Sequence, residues 1–563
     1  MGHHGNQKEV VSHSEWISAI DQTVSGRWNM RKRVSRRRFL VVVGATTAVA
    51  GLGGLIFKDA LFDNLADLFE NRIDFLTSEG DLAAGKAGFS PRLPQQTCIQ
   101  PGDLPAQQGN GDERLAITRY FPQLDYARKN ASRVQIINVY DEDFSRVAEQ
   151  TGNTPLVHNS IFPLKSEPNR FVVPWVPLFP KLTPVFKLEH GWGGSAPADN
   201  IYLKDEGSSR FALFGNKARK YEFAFPSCMQ TRAKKILTFG SLGSNHCIYT
   251  SLTAACTRLG ERFGREEPEI LVNLYPQLYH PSILKKLRYL LALGARVRFL
   301  DGDFQVGMQI LANRFREHYS PSDDLAYYEP GGSNPLTTLS HINAIFELND
   351  QIQQGAVPLS APPDYIFVPL GSGGTSVGLA LGCHLLGWGT IVVGTTSQDK
   401  SVWERTLVNG RPGQPFLVQN AFGLLKRTIE LLRFFDIPDV GGNRLTADGV
   451  WSKNFLYDNM TWKPAYGIPS KKTTALISAM RELNGVELDG TFSGKSFTTL
   501  VDYAEEGILK GKSVLFWNTH QRYDFMAHEK VRTMDLNLLP GNLTDYLSRV
   551  CNIHLDRGNL QGA

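Results

Sequence analysis

The chain has 563 residues, 42% hydrophobic and 20% charged, enough for several cores at about 150 residues per domain, which excludes a disordered, collagen-like or small disulfide-framework protein. Its formal charge is +5, but residues 1–58 hold nine basic against three acidic groups, so the remaining chain is close to neutral. A near-neutral body has no general electrostatic reason to hold nucleic acid, and six cysteines without CxxC spacing indicate neither zinc nor a disulfide network.

The basic cluster ends in Ser35-Arg36-Arg37-Arg38-Phe39-Leu40, and Phe39 to Phe57 then runs without a charge. A basic stretch before a modest apolar one is how an export signal is built. Clustered arginines are a poor start for a core helix, whose N-terminus favours acids. The Ser-Arg-Arg-x-Phe-Leu order resembles the twin-arginine signal, which directs already folded proteins across the bacterial inner membrane. Ala48-Val49-Ala50 offers a cleavage site, and glycines at 44, 51, 53 and 54 favour a removable signal. The run of 19 residues nonetheless approaches the roughly 20 that span a bilayer, so an uncleaved anchor is the alternative. Residues 1–58 are therefore expected to engage the export machinery. The mature chain is expected in the periplasm, or anchored to the inner membrane on its periplasmic side.

Residues 59–170 read as an N-terminal extension: a helix at Leu61–Leu76, a Gly/Pro/Gln-rich stretch from Gly88 to Gly111, and short alternating patterns such as Val134–Val139. From about Thr183 short apolar strands alternate with helical stretches. Ile236–Phe239 precedes a helix at Cys247–Leu259, Ile270–Leu274 precedes one at Pro281–Leu293, and Val297–Leu300 follows. Later, Tyr365–Val368 precedes a helix at Ser376–Leu386, with Thr390–Gly394 next. This rhythm predicts βαβ units and a mostly parallel sheet, with ligands at the carboxyl ends of its strands.

Three strand-to-helix loops carry candidate chemistry. Gly371-Ser372-Gly373-Gly374-Thr375 can turn backbone N–H groups and two hydroxyls onto a phosphate, although a tight turn has the same composition. It has neither the Gly-Lys-Ser/Thr ending of a P-loop nor the G-x-G-x-x-G fingerprint. Gly215-Asn216-Lys217-Ala218-Arg219-Lys220 places a lysine among cations that could lower its pKa and free its amine for Schiff-base chemistry; a solvated lysine is the other reading. Gly240-Ser241-Leu242-Gly243-Ser244-Asn245-His246 could hold a carboxylate, or simply cap a helix.

At this order and spacing the loops resemble the pyridoxal-phosphate enzymes of the tryptophan-synthase-β fold (fold type II), and more narrowly the D-cysteine desulfhydrase and 1-aminocyclopropane-1-carboxylate deaminase family. The family's Gly-Asn-Lys-x-Arg-Lys-x-Glu-Phe is met by Gly215 to Phe223, and its Ser-Asn-His by Ser244-Asn245-His246. Its Gly-Gly-Ser-Asn-Pro-Leu is met by Gly331 to Leu336, and its Tyr-Gly-x-Pro by Tyr466 to Pro469. Its Asp-Pro-x-Tyr-Thr-Gly-Lys is met imperfectly by Asp489 to Lys495, and Val514–Trp517 also fits.

The resemblance implies an α/β fold of two lobes with parallel sheets, a catalytic domain over 171–530 and a C-terminal tail over 531–563. It implies pyridoxal 5′-phosphate as cofactor, a small amino acid as substrate and a homodimer. Lys217 would carry the cofactor as a Schiff base, with Asn216 beside it and Asn245 facing the 3′ oxygen. Gly371, Ser372, Gly373, Gly374 and Thr375 would bind the phosphate, and Ser493 would face the pyridine nitrogen. Ser244, Asn245 and His246 would hold the substrate carboxylate, with Lys217, Ser244 and Tyr466 as the catalytic groups. A hydroxyl at the ring nitrogen suits elimination at the β-carbon better than transamination.

Two departures bear on substrate. Phe492 replaces the family's tyrosine, and Thr519-His520-Gln521 replaces its Thr-Gly-Gly. Ser493, where the deaminases use an acid, argues against cyclopropane ring opening. The expected function is an exported lyase releasing a β-substituent such as thiol, then a keto acid and ammonia. The alternatives are a racemase or β-replacement enzyme, or a catalytically silent binding protein on the same scaffold.

Overall fold

The computed structural model describes residues 89–93, 183–192, 200–208, 215–231, 233–257, 266–301, 325–397, 416–434, 445–458, 464–521, 524–551 and 553. The expected export signal, the helix at 61–76 and the pattern at 134–139 lie outside the described residues.

Strands β1 (Val185–Lys187) and β2 (Ile201–Asp205) pair antiparallel. Helix α1 (Lys217–Thr231) leads into a run of β3 (Lys235–Ser241), α2 (Asn245–Thr257), β4 (Glu269–Tyr275), α3 (Ser282–Ala292), β5 (Arg296–Phe299) and β6 (Leu325–Tyr328). These strands form a four-stranded sheet in the order β5-β4-β3-β6, parallel throughout. The chain returns through α4 (Pro335–Gln353) to β7 (Tyr365–Leu370), α5 (Gly374–Leu385), β8 (Ile391–Thr396), α6 (Phe416–Phe434), α7 (Ala447–Asn454) and β9 (Phe455–Asp458). Helices α8 (Lys471–Asn484) and α9 (Ser493–Glu505) precede β10 (Val514–Asn518). The second sheet has six strands in the order β1-β2-β10-β7-β8-β9, parallel apart from β1. The expected α/β architecture with parallel sheets is thus present; three of the expected strands are longer than expected, that at 297–300 is shifted back by one residue, and that at 390–394 starts one residue later and ends two later.

The reason is burial on both faces. β10 (Val-Leu-Phe-Trp-Asn) is buried at every position and β7 at all but its first, as continuous apolar runs covered by helices on either side should be. Helix α4 starts at a full capping box, with Asn334 and Thr337 bonding each other's backbone and Pro335 at the first turn. It lies close along α5 because Gly378 faces it: a Cβ there would meet His341 Cβ and the Thr338 carbonyl at 2.6 Å. Any larger residue would force the two helices apart.

The segment read as a tail, and a few described residues of the extension, join the core. The expected C-terminal tail folds as α10 (Glu529–Arg532) and α11 (Gly541–Cys551), burying Val531, Leu536, Leu539, Leu543 and Leu547 in the cluster that contains Leu290 and Phe299. Asn542 Nδ2 also donates to the Phe299 carbonyl at 2.9 Å. From the extension, Ser90 pairs with Val297 at the free edge of β5: its N–H donates to the Val297 carbonyl at 2.7 Å and its hydroxyl accepts from the Val297 N–H at 2.9 Å. Covering an edge strand removes a site for unwanted pairing. Among the described residues no helix is long and apolar enough to cross a membrane.

Candidate active site

The carboxyl ends of β3, β6, β7 and β10 lead into Ser241–Ser244, Glu329–Ser333, Gly371–Gly373 and Thr519–Gln521. Lys217 opens α1 among them. Next to it, the Asn216 side-chain amide donates to Thr375 Oγ1 at 3.0 Å, tying the start of α1 to the glycine loop. The two elements are therefore adjacent although they lie 159 positions apart.

Burial lowers the Lys217 pKa to about 8, against the opposing pull of Asp489 and a hydrogen bond shared with Lys220. The sequence suggested instead that neighbouring cations, Arg219 and Lys220, would lower it. Arg219 does not face the amine. It donates to Glu206 at 2.8 Å and to Glu347 at 2.8 Å, and Lys204 joins the same buried network through Glu347 at 2.8 Å. Arg219 anchors α1 to the turn after β2 and to α4.

Lys220, one turn beyond Lys217, reaches the glycine loop. Its amine donates to Ser333 Oγ at 2.7 Å and to the Gly331 carbonyl at 2.9 Å. Ser333 Oγ also accepts from the Gly374 N–H at 3.2 Å and bonds Ser372 Oγ at 2.6 Å. A Cβ on Gly374 would stand 2.6 Å from Ser333 Oγ and 3.2 Å from Lys220 Nζ, so glycine is required there. The result is a cup of one amine, two hydroxyls and backbone N–H groups at the N-terminus of α5. Burial first, and Lys217 second, push the Lys220 pKa well down. Among the described residues no carboxylate pairs with it. An anion in the cup would restore its proton, and helix N-termini attract anions.

The loop after β3 forms the opposite wall. Ser244 is buried; its N–H donates to the Ser241 carbonyl at 2.9 Å and its hydroxyl accepts from the Cys247 N–H at 3.4 Å, capping α2. Gly243 is gripped at both ends, its N–H by Gln277 Oε1 at 2.9 Å and its carbonyl by Lys286 Nζ at 2.7 Å. Asn245 opens α2 and is partly exposed. The substrate role expected of His246 does not fit its position. Its ring is buried with Nε2 on Thr238 Oγ1 at 2.7 Å and Nδ1 on the Tyr221 phenol at 3.1 Å, so both nitrogens are engaged inside the core. His246 locks the loop from behind.

The third wall comes from the α8–α9 region. Ser493, expected at a ring nitrogen, is buried, accepts from the Asp489 N–H at 2.8 Å and donates to Asp489 Oδ2 at 3.3 Å. Asp489 Oδ1 accepts from the Thr491 and Phe492 N–H groups at 2.6 Å each. The Phe492 ring stands edge-on to Tyr466, centroids 5.7 Å apart, and near Gly371. Burial raises the Tyr466 phenol to about 12, with the Ser241 hydroxyl opposing. His520 Nδ1 lies 3.6 Å from Asp489 Oδ2. Gln521 lies against Gly215. Sequence reading did not assign Lys220, Ser333, Gln277, Lys286 or Asp489. Lys220 and Ser333 sit inside motifs it quoted, whereas Gln277 and Lys286 carried no motif signal. No group of three metal-ligating side chains occurs among the described residues.

Residues 178–520 match the family model described as pyridoxal-phosphate dependent enzyme. The chain is 27% identical over 325 residues to the D-cysteine desulfhydrase of Serratia proteamaculans, covering 57% of this chain and 86% of that one. It is 26% identical over 344 residues to the mitochondrial bifunctional D-cysteine desulfhydrase/1-aminocyclopropane-1-carboxylate deaminase of Arabidopsis thaliana, covering 59% of this chain and 75% of that one. Among solved structures, an ACC deaminase homologue aligns with a TM-score of 0.47 at 24% identity, covering 68% of this chain and all of that one.

Proposed function

The chain belongs to the pyridoxal-phosphate dependent enzymes, and on that premise we propose that it is a lyase that removes a β-substituent from a small amino acid, with Lys217 as the cofactor lysine and proton carrier. The carrying observation is that Asn216, next to Lys217, bonds Thr375 of the glycine loop while Lys220, on the same helix, reaches the cup at α5, so an aldehyde-reactive amine and an anion site lie on neighbouring elements. The remaining residues fit the cofactor: the Gly374 N–H and the Ser333 and Ser372 hydroxyls gather polar groups where a phosphate would sit, and Asn245 offers an amide at the start of α2.

When bound, pyridoxal phosphate supplies an electron sink that makes the Cα–H of an attached amino acid acidic. Lys217, with its pKa near 8, is suited to take that proton at neutral or mildly alkaline pH. The Ser241–Asn245 loop holds the carboxylate and fixes which Cα bond faces the lysine. Tyr466 keeps its proton up to about pH 12 and can donate it to the departing group. With Phe492 beside it, Tyr466 is the phenol left for that task. Export in the folded state, guided by Arg36 and Arg37, and assembly as a homodimer belong to the same proposal. The support for export is the arginine cluster before an uncharged run.

The test is keto-acid and ammonia release from D- and L-cysteine, serine and their relatives, with wild type and Lys217→Ala in parallel. Wild type should show the visible absorbance of a lysine-bound cofactor and turn over at least one of these; the variant should lose both. Absorbance without any turnover would favour the silent binding protein. An unchanged Lys217→Ala would end the assignment.

A further inference from the structure

Lys286 is a charged side chain that the mechanism above leaves unused. It projects from the second turn of α3 to the carbonyl of Gly243, 2.7 Å away, in the loop assigned to the substrate carboxylate. It forms no ion pair among the described residues, and of its three N–H donors that carbonyl takes one. Holding a shielded ammonium without a counter-ion in contact costs free energy, which a structural role at one carbonyl does not explain.

The surrounding charges point the same way. Asp489 is the acid that acts on Lys217, Lys286, Lys495 and His520. Its oxygens are already taken by two backbone N–H groups and the Ser493 hydroxyl. Of the groups it acts on, only His520 is reached by further acids, Glu487 and Asp205. His520 adds a ring nitrogen, Nδ1, that stands 3.6 Å from Asp489 Oδ2 and has no hydrogen-bond partner. Gln277, bonded to the Gly243 N–H through Oε1, lies under Gly467.

We propose that the Lys286 ammonium, with Gln277 and His520 at its side, receives a second acidic group, so that the preferred substrate is an amino acid whose β-substituent ends in an oxyanion. This deepens the amino-acid lyase assignment and rests on it. At about 1.5 Å per bond, an atom on the β-carbon lies roughly 4 Å from the carboxyl carbon, so an oxyanion there falls beside the loop that Lys286 grips. For a phosphate ester the balance is complete without a further reactant than water. The α-proton goes to Lys217, the Cβ–O bond breaks with its electron pair on phosphate, and water yields a 2-keto acid and ammonia.

The experiment uses the full-length holoenzyme with D- and L-forms of serine, cysteine, O-phosphoserine and S-sulfocysteine, read by keto-acid release and, separately, by perturbation of the cofactor absorbance. The oxyanion-bearing compounds should bind about tenfold or more tightly than the neutral ones, a charge-assisted contact being worth that much. In Lys286→Met the ratio of the two affinities should fall by about the same factor, and Lys286→Arg should retain part of it. An unchanged ratio, or equal weakening of both classes, would mean that Lys286 only holds Gly243 and would overturn the proposal. If no amino acid perturbs the absorbance of the bound cofactor, the lyase assignment falls and takes this proposal with it. Turnover of neutral substrates alone leaves the lyase standing and removes this proposal.

Discussion

A lysine beside a helix N-terminus meets partial positive charge, so Lys220 next to α5 is in an unfavourable place unless an anion lies between them. Replacing it with methionine should keep the apolar stem packed while removing the charge. Lys220→Met is expected to weaken pyridoxal-phosphate binding about 10- to 100-fold, measured by titrating the apoprotein and following absorbance, whereas Lys220→Arg should lose less. An unchanged affinity would place the phosphate elsewhere. The sequence contained this residue but not its role. Lys217 and Lys220 are three apart on a helix and so share a face, while Arg219 points to another and joins Glu206 and Glu347. Chemistry and scaffold alternate along one motif, and only the helical phase separates them. Ser244-Asn245-His246 behaves the same way: two residues line the cleft and the third is locked behind it by Thr238 and Tyr221.

At the scale of elements, the buried network of Lys204, Glu206, Arg219 and Glu347 fixes α1 against β2 and α4. Burial alone would raise the Glu347 pKa, but Arg219 and Lys204 outweigh it and bring the value from 4.5 down to about 2. A carboxylate depressed in the folded state adds stability above its unfolded pKa and loses it as pH falls through the folded one. Stability should therefore decline between about pH 4.5 and pH 2. In denaturant titrations at stepped pH, Glu347→Gln should be less stable at neutral pH by about 3–5 kcal/mol, since it leaves two buried cations short of a partner. It should also show a flatter acid decline. A variant with the wild-type pH profile would remove Glu347 from this role. The strands were legible because continuous apolar runs of this length are what a covered parallel strand requires. The network was not, because Lys204 and Glu347 are 143 positions apart and no local period connects them. Helix α11 shows the intermediate case: Leu543 and Leu547, four apart, mark its buried face, yet without a chemical motif the segment read as a tail.

For the whole molecule, the proposed export has a direct test. Replacing Arg36 and Arg37 together by lysine should leave cofactor-loaded protein in the cytoplasmic fraction, whereas the parent chain should fractionate with the periplasm or the inner membrane. Equal distribution of the two would end the export proposal. The order of the strands bears on when the chain can be loaded and moved. β10 lies between β2 and β7 at the middle of the large sheet, and Asn518 bonds Asp205 from 313 positions away, while β3 to β6 form a contiguous block in between. Closing so long a loop is a late event, because distant pairing must await both partners. On the ribosome, the smaller sheet can be assembled while the centre of the larger is still unsynthesised. Vitamin capture, which needs Lys217 on one side and the β7 loop on the other, becomes a checkpoint that nascent chains cannot pass early.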